Sequence, residues 1–198
     1  MNLPNTITLS RIPLMFVIVW LMYFTWPGAA SLAFVLFVGG AMGDWYDGYL
    51  ARKLGLISNF GKLMDAMADK IMVLGIVMAL VNKDQIPVAL ALITLCREFL
   101  VTGMRMVAAT KGVVVSADSG GKTKTVTQLV ALGFFLGGPV VSLDGYYLFH
   151  WDASHFVDIV YHVGVWIFVA GTALSVWSGY RYISRNASVV FADEGPRP

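Results

Sequence analysis

Residues 43–70 read GDWYDGYLARKLGLISNFGKLMDAMADK, and this stretch decides both the class of fold and the place of its chemistry. Four aspartates stand here in two helical pairs. Asp44 and Asp47 are spaced i,i+3, and Asp65 and Asp69 i,i+4, so each pair occupies one face of its helix. The flanking segments are strongly apolar, which places the carboxylates at or near the edge of a hydrocarbon layer. Acids there are costly and need partners. A set of facing carboxylates suits hard, oxygen-preferring cations such as Mg²⁺ or Mn²⁺. Four acids suffice for two ions sharing ligands, the arrangement used for in-line displacement at phosphorus.

The residues between the acids fit the same chemistry. Gly48 lies one turn beyond Asp44, where the missing side chain lets a ligand approach the backbone. Ala51 keeps that face low, and Arg52, two turns from Asp44, can fork onto a phosphate. Gly61, four before Asp65, leaves the second helix open in the same way. One intramembrane aspartate reads as a structural ion pair and two as a proton relay. Four at these spacings, each leading acid with a glycine one turn away, are hard to explain as packing.

The composition agrees with a membrane setting. The 198-residue chain is 58% hydrophobic and only 13% charged, against roughly a quarter charged in a soluble domain. A net charge of +2 implies no nucleic-acid partner. The single cysteine, Cys96, excludes an intramolecular disulfide and does not suggest a zinc cluster. The N-terminus lacks a basic leader followed by a small-residue cleavage site, so the first helix reads as retained.

A spanning helix needs about 20 mostly apolar residues. The first runs over 12–26, beginning a turn or so earlier, near residue 6, and stops at Trp26-Pro27-Gly28. Residues 2–11 are too polar to cross and form a short interfacial segment. The second helix runs from about 29 to 52, the third from 60 to 81, the fourth from 87 to 109, the fifth from 122 to 141 and the sixth from 156 to 182. Residues 111–121 and 142–154 read as loops. The expectation is an all-α integral membrane protein with six transmembrane helices in a single domain, residues 1–185, and a flexible tail, 186–198. Six spans put both termini on one side. Of the 14 Lys and Arg residues, only Lys83 falls in or beside the loops of the opposite side. The positive-inside rule then makes the terminal side cytoplasmic, and the four aspartates lie on it.

The pattern Asp44-x-x-Asp47-Gly48-x-x-Ala51-Arg52, eight residues, then Gly61-x-x-x-Asp65-x-x-x-Asp69 resembles the signature of the CDP-alcohol phosphotransferases at all eight specified positions. The resemblance implies transfer of a phosphatidyl group from CDP-diacylglycerol to an alcohol, with release of CMP. Asp44, Asp47 and Asp65 would ligate the metals. Asp69 would be the catalytic base for the acceptor hydroxyl and would also touch a metal. Asp44, Gly48, Ala51 and Arg52 would line the cytidine-diphosphate pocket. A homodimer in the cell's inner or plasma membrane, in contact with membrane lipids, is implied as well.

The acceptor must be chosen by a second polar cluster. Arg97, Glu98 and Arg105 lie in CREFLVTGMR, and Lys122 and Lys124 open the fifth helix in GGKTKTVTQ, where a helix N-terminus after two glycines is a ready anion site. A solvated helix start is the competing reading for the lysines, and a pairing with Glu98 is the competing one for Arg97. Together the cluster suggests an acceptor carrying its own phosphate. PNTITLSRI, REFLVTGMR and GKTKTVTQ also resemble the branch of the family that uses sn-glycerol 3-phosphate, with Arg105, Lys122, Lys124 and Arg97 as the implied phosphate contacts. Asn5, Thr8 and Arg11 are candidates for the nucleotide, or else cap the first helix and anchor it at the interface. His150, His155 and His162 fall on the side away from the acids, which argues against a metal role. A sibling enzyme taking another alcohol is the nearest alternative. A cation or proton transporter is the alternative from a different class. A transporter needs polar groups continuing across the bilayer, whereas the second and third helices turn apolar beyond the acids.

Overall fold

The computed structural model describes the backbone of residues 3–54, 59–110, 119–150 and 153–191, and side chains within 10–43, 67–68, 70–108, 123–147, 150 and 153–185. Those residues are helical throughout, with short turns between. The long helices are α1 (Leu3–Leu21), α2 (Ala29–Leu54), α3 (Asn59–Asn82), α4 (Val88–Thr110), α5 (Ser119–Pro139) and α7 (Ser154–Phe191). A π-helical turn, Val140–Asp144, and the short α6, Gly145–Phe149, extend α5. α1 packs on α2 and α3, while α5 and α4 pack on α7, and the two trios join through α2 with α5 and α3 with α4. The core where they meet holds Ile18, Met72, Ile76, Leu80, Leu132, Phe135 and Phe168.

Two stretches, Thr123–Tyr147 and Ser154–Arg185, are long and apolar enough to cross a membrane, and Ser10–Leu21, Ala29–Gly43 and Lys70–Asn82 are shorter apolar helices. Large apolar side chains face outward all round, among them Phe16, Trp20, Val35, Phe99, Trp166 and Trp177. In water such a surface would be an aggregation liability. It suits a bundle bathed in lipid.

Several element boundaries depart from the sequence expectation. The polar N-terminal residues expected to form a short interfacial segment are helical and continuous with the first apolar stretch, α1 running from Leu3 through Pro13 to Leu21. Arg11 is buried, at 3% exposure, so it is no surface anchor. The loop expected over 111–121 closes early, since Ser119, Gly120 and Gly121 already belong to α5. Glycines are tolerated in a first turn, whose N–H groups have no intrahelical partner in any case. The last helix runs to Phe191, past the expected end at 182 and into the segment read as a tail. No proline interrupts the chain between Pro139 and Pro196. Residues 192–198 lie outside the described set.

The expected loop after α5 is largely helical too. Pro139 has no N–H to continue the α-helical ladder, and the backbone widens into the π turn, with the Gly145 N–H donating to the Val140 carbonyl. The wider turn shifts the register and brings the Asp144 carboxylate to the start of α2. There it accepts from the Gly28 N–H at 2.8 Å, the Ser31 N–H at 2.7 Å and the Ser31 hydroxyl at 2.5 Å. A carboxylate at a helix N-terminus satisfies orphan donors and opposes the positive end of the dipole. On the same side of the bundle Lys83 donates to the Met22 carbonyl at 2.8 Å and lies over the Tyr23 ring, whose hydroxyl donates to Asn82 at 2.8 Å.

Candidate active site

Asp44, Asp47, Gly48, Ala51 and Arg52 lie in the second half of α2, and Asp65 and Asp69 in the first half of α3. Their side chains fall outside the described set, so the backbone positions them. Gly40 is where α2 meets its neighbours. A Cβ there would stand 2.9 Å from Leu14 Cδ2 and 3.4 Å from Met72 Sδ, so the glycine lets the Leu14 and Met72 side chains of α1 and α3 pack directly on α2. Asp44 follows Gly40 by one turn, and Asp69 precedes Met72 by three residues. The crossing therefore sets the two acid-bearing helix segments going from a common point. Gly43 has open space beside it. Among the described side chains no group of three or more His, Cys, Asp or Glu converges. The four aspartates lie on two helices, α2 and α3, that pack against α1 around Gly40.

α3 continues from Asp69 into Lys70, whose ammonium donates to the Thr102 hydroxyl on α4. Thr102 in turn donates to the Glu98 carbonyl at 2.7 Å. This chain ties the residue beside Asp69 to the second polar cluster. Within that cluster Glu98 Oε1 accepts from Arg97 at 2.9 Å and pairs with Lys124 of α5. Arg97 also donates through Nε to the Ser175 carbonyl at 2.8 Å and through a terminal nitrogen to the Ser178 hydroxyl at 2.7 Å, both on α7. Gly179 makes room for it, since a Cβ there would lie 3.2 Å from Arg97 Cγ and Nε. Arg105, two turns on, is exposed, with its guanidinium 5.7 Å from the centre of the Tyr182 ring, within cation–π range.

The competing reading of a solvated helix start does not hold for Lys124. It is the sixth residue of α5, only 4% exposed, and ion-paired. Lys122 lies in the first half of α5 with its side chain outside the described set, and Asn5 and Thr8 lie in the first turns of α1 under the same limit. Arg97 does pair with Glu98, yet its reach to Ser175 and Ser178 had no sequence signal, because helix pairing across 78 and 81 residues is invisible to local pattern. Deeper in the same seam Thr94 and Thr172 hydroxyls meet at 3.2 Å. Gln128, one turn below Lys124, is buried there, and its Nε2 has no hydrogen-bond partner among the described residues.

On the other flank of α5 lies a wholly apolar groove of about 720 Å³ between α2, α5 and the start of α7, lined by Phe37, Val38, Met42, Leu129, Gly133 and Phe156 among others. It begins at Met42, two residues before Asp44. Along α5 and into the π turn it extends from Val126 to Val141, roughly 22 Å at 1.5 Å per residue. That exceeds the roughly 15 Å depth of one hydrocarbon leaflet. Met42, Val126 and Phe156 are each more than half exposed, so the groove opens sideways.

The acid-bearing stretches of α2 and α3, a braced cation cluster and an apolar groove thus lie in one helical bundle. A family model described as CDP-alcohol phosphatidyltransferase matches residues 1–177, and the chain belongs to that family. Among characterised proteins it is 38% identical to the CDP-diacylglycerol--glycerol-3-phosphate 3-phosphatidyltransferase of Bacillus subtilis, over 93% of this chain and 95% of that one. Proteins of the same name from Rickettsia bellii, 35% identical over 91% of this chain and 93% of that one, and from Shigella flexneri, 34% identical over 92% and 93%, are similar to it as well.

Proposed function

We propose that this protein transfers the phosphatidyl group of CDP-diacylglycerol to sn-glycerol 3-phosphate, giving phosphatidylglycerophosphate and CMP, at the cytoplasmic edge of the membrane. The observation that carries the reading is the Lys70–Thr102–Glu98–Lys124 chain of contacts. It sets a buried cation cluster beside the acid-bearing stretch of α3, as an acceptor with a phosphate at one end and a reacting hydroxyl at the other requires. The names carried by the similar proteins point to the same acceptor.

In this reading Asp44, Asp47, Asp65 and Asp69 hold one or two Mg²⁺ or Mn²⁺ ions, which when bound supply positive charge to the diphosphate. Arg52 binds a phosphate, and Gly48 and Ala51 leave room for the cytidine end, with Asn5 and Thr8 contributing from α1. Lys124, Lys122 and Arg105 take the acceptor's phosphate, and Arg97 serves the cluster from behind. Asp69 accepts the proton of the acceptor's free primary hydroxyl. That oxygen forms a bond to the phosphorus bearing the diacylglycerol, and the bond from this phosphorus to the bridging oxygen breaks. CMP leaves with the electron pair. The apolar groove beside Asp44 takes an acyl chain while the nucleotide stays at the aqueous edge. Six spans with both termini in the cytoplasm accommodate this arrangement.

The test is CMP release by purified protein in detergent with CDP-diacylglycerol and Mg²⁺, comparing glycerol 3-phosphate with inositol phosphate and other alcohols. Release that requires glycerol 3-phosphate and disappears with EDTA is expected. Release with a different alcohol alone would move the protein to a sibling activity, and none with any acceptor, from folded protein, would overturn the reading.

A further inference from the structure

Glu98 is the one acidic side chain described between the acceptor-side cations, and its placement is unusual. Its Oε1 is shared by Arg97, a neighbour in sequence on α4, and by Lys124 from α5. All three side chains are largely shielded, at 13% exposure or less. An ammonium as buried as that of Lys124 is costly without a counter-charge. The Glu98 carboxylate supplies that charge. It is itself held: Arg97 grips it from one side while being fastened to Ser175 and Ser178 of α7. Glu98 thus stands at the end of a rigid brace joining α4 to α7, and it presents that brace to α5.

We infer that Glu98 is a positioning residue for the acceptor: it fixes where the Lys124 ammonium points, so that the acceptor's phosphate meets a pre-set charge. This rests on the glycerol 3-phosphate reading, in which Lys124 contacts that phosphate. Glu98 itself does not touch the acceptor, since a carboxylate and a phosphate repel. Its influence on the reaction passes through Lys124. An ammonium has three donors, and a carboxylate that holds it from the α4 side sets the direction of the others. Loss of the charge on Glu98 weakens acceptor binding and leaves the donor lipid and the chemical step alone. A purely architectural residue would behave differently, lowering folded yield, turnover and both substrates' apparent affinities together.

The experiment titrates both substrates in CMP-release assays on wild type, Glu98→Gln, Glu98→Asp, Lys124→Ala and Glu98→Gln/Lys124→Ala, with melting temperatures recorded in the same detergent. Glu98→Gln is expected to raise KM for glycerol 3-phosphate about tenfold or more, with kcat and KM for CDP-diacylglycerol changed less than about threefold. Glu98→Asp, which keeps the charge on a shorter arm, is expected to recover part of that loss. It carries the test by itself if the glutamine variant does not fold. In the double variant the acceptor KM is expected to match Lys124→Ala alone, because one residue acts through the other. An unchanged acceptor KM, an equal rise in both KM values, or full additivity in the double variant would overturn the inference while wild-type release still depends on glycerol 3-phosphate. Wild-type release that does not depend on it would overturn the reading beneath.

Discussion

At the residue scale the sharpest expectations concern Asp69 and Lys124. In the proposed mechanism Asp69→Asn removes the proton acceptor and keeps the size of the side chain. Turnover should fall by at least about a hundredfold, within the range assigned to a general base, while binding of CDP-diacylglycerol measured by ligand-induced thermal shift survives. Equal loss of both would remove Asp69 from the role of base. Lys124→Ala should raise KM for the acceptor more than for the lipid, and an unchanged acceptor KM would take it out of the phosphate pocket. The helical placement of the two aspartate pairs was legible in the sequence because their spacing is local: i,i+3 and i,i+4 positions share a face wherever the helix sits. The surroundings of Arg97 and Lys124 were not. A lysine two positions after Gly-Gly-Lys reads as a wet helix start, and only the packing of α4, α5 and α7 makes it a buried ion pair.

At the scale of elements, the Asp144 cap is the clearest structural device. Asp144→Ala leaves the Gly28 and Ser31 N–H groups without their carboxylate and should cost about 1–2 kcal/mol, as the loss of an N-cap does. A lower midpoint in chemical denaturation, with kcat retained in the folded fraction, is the expected result. No change in midpoint would show that water replaces the cap. The apolar groove offers a second element-level test. Gly133 on its floor has only Phe37 Cε1 near, at 3.9 Å from an added Cβ, so Gly133→Leu can project into the groove without a backbone clash. It should raise KM for CDP-diacylglycerol several-fold and leave the acceptor's KM unmoved. Helix limits marked by strong punctuation, such as Asn82-Lys83-Asp84 and Pro87 around α4, were readable from sequence. The π turn was not, because its cue, a lone Pro139 at a helix end, reads equally as a stop.

At the scale of the whole molecule, orientation and metal dependence are the quantities to measure. On a Cys96→Ser background, a cysteine at position 83 should react with a membrane-impermeant maleimide from outside intact cells, and one at position 185 only after permeabilisation. The reverse pattern would invert the topology. EDTA should abolish activity, and Mg²⁺ or Mn²⁺ should restore it, whereas Ca²⁺, which prefers more and longer oxygen contacts, should restore it poorly. The division into two trios, α1–α3 carrying the acids and α4, α5 and α7 carrying the cations, could not be read from hydropathy. Apolar stripes give the number of helices but say little about which of them touch.

The sideways opening of the groove also decides what concentration means for this protein. A donor that enters from the flank is met in two dimensions, so its effective abundance is its mole fraction among the surrounding amphiphiles. Adding inert detergent at constant total CDP-diacylglycerol should therefore slow the reaction by surface dilution. The water-borne acceptor should keep a saturation curve set by its bulk concentration alone.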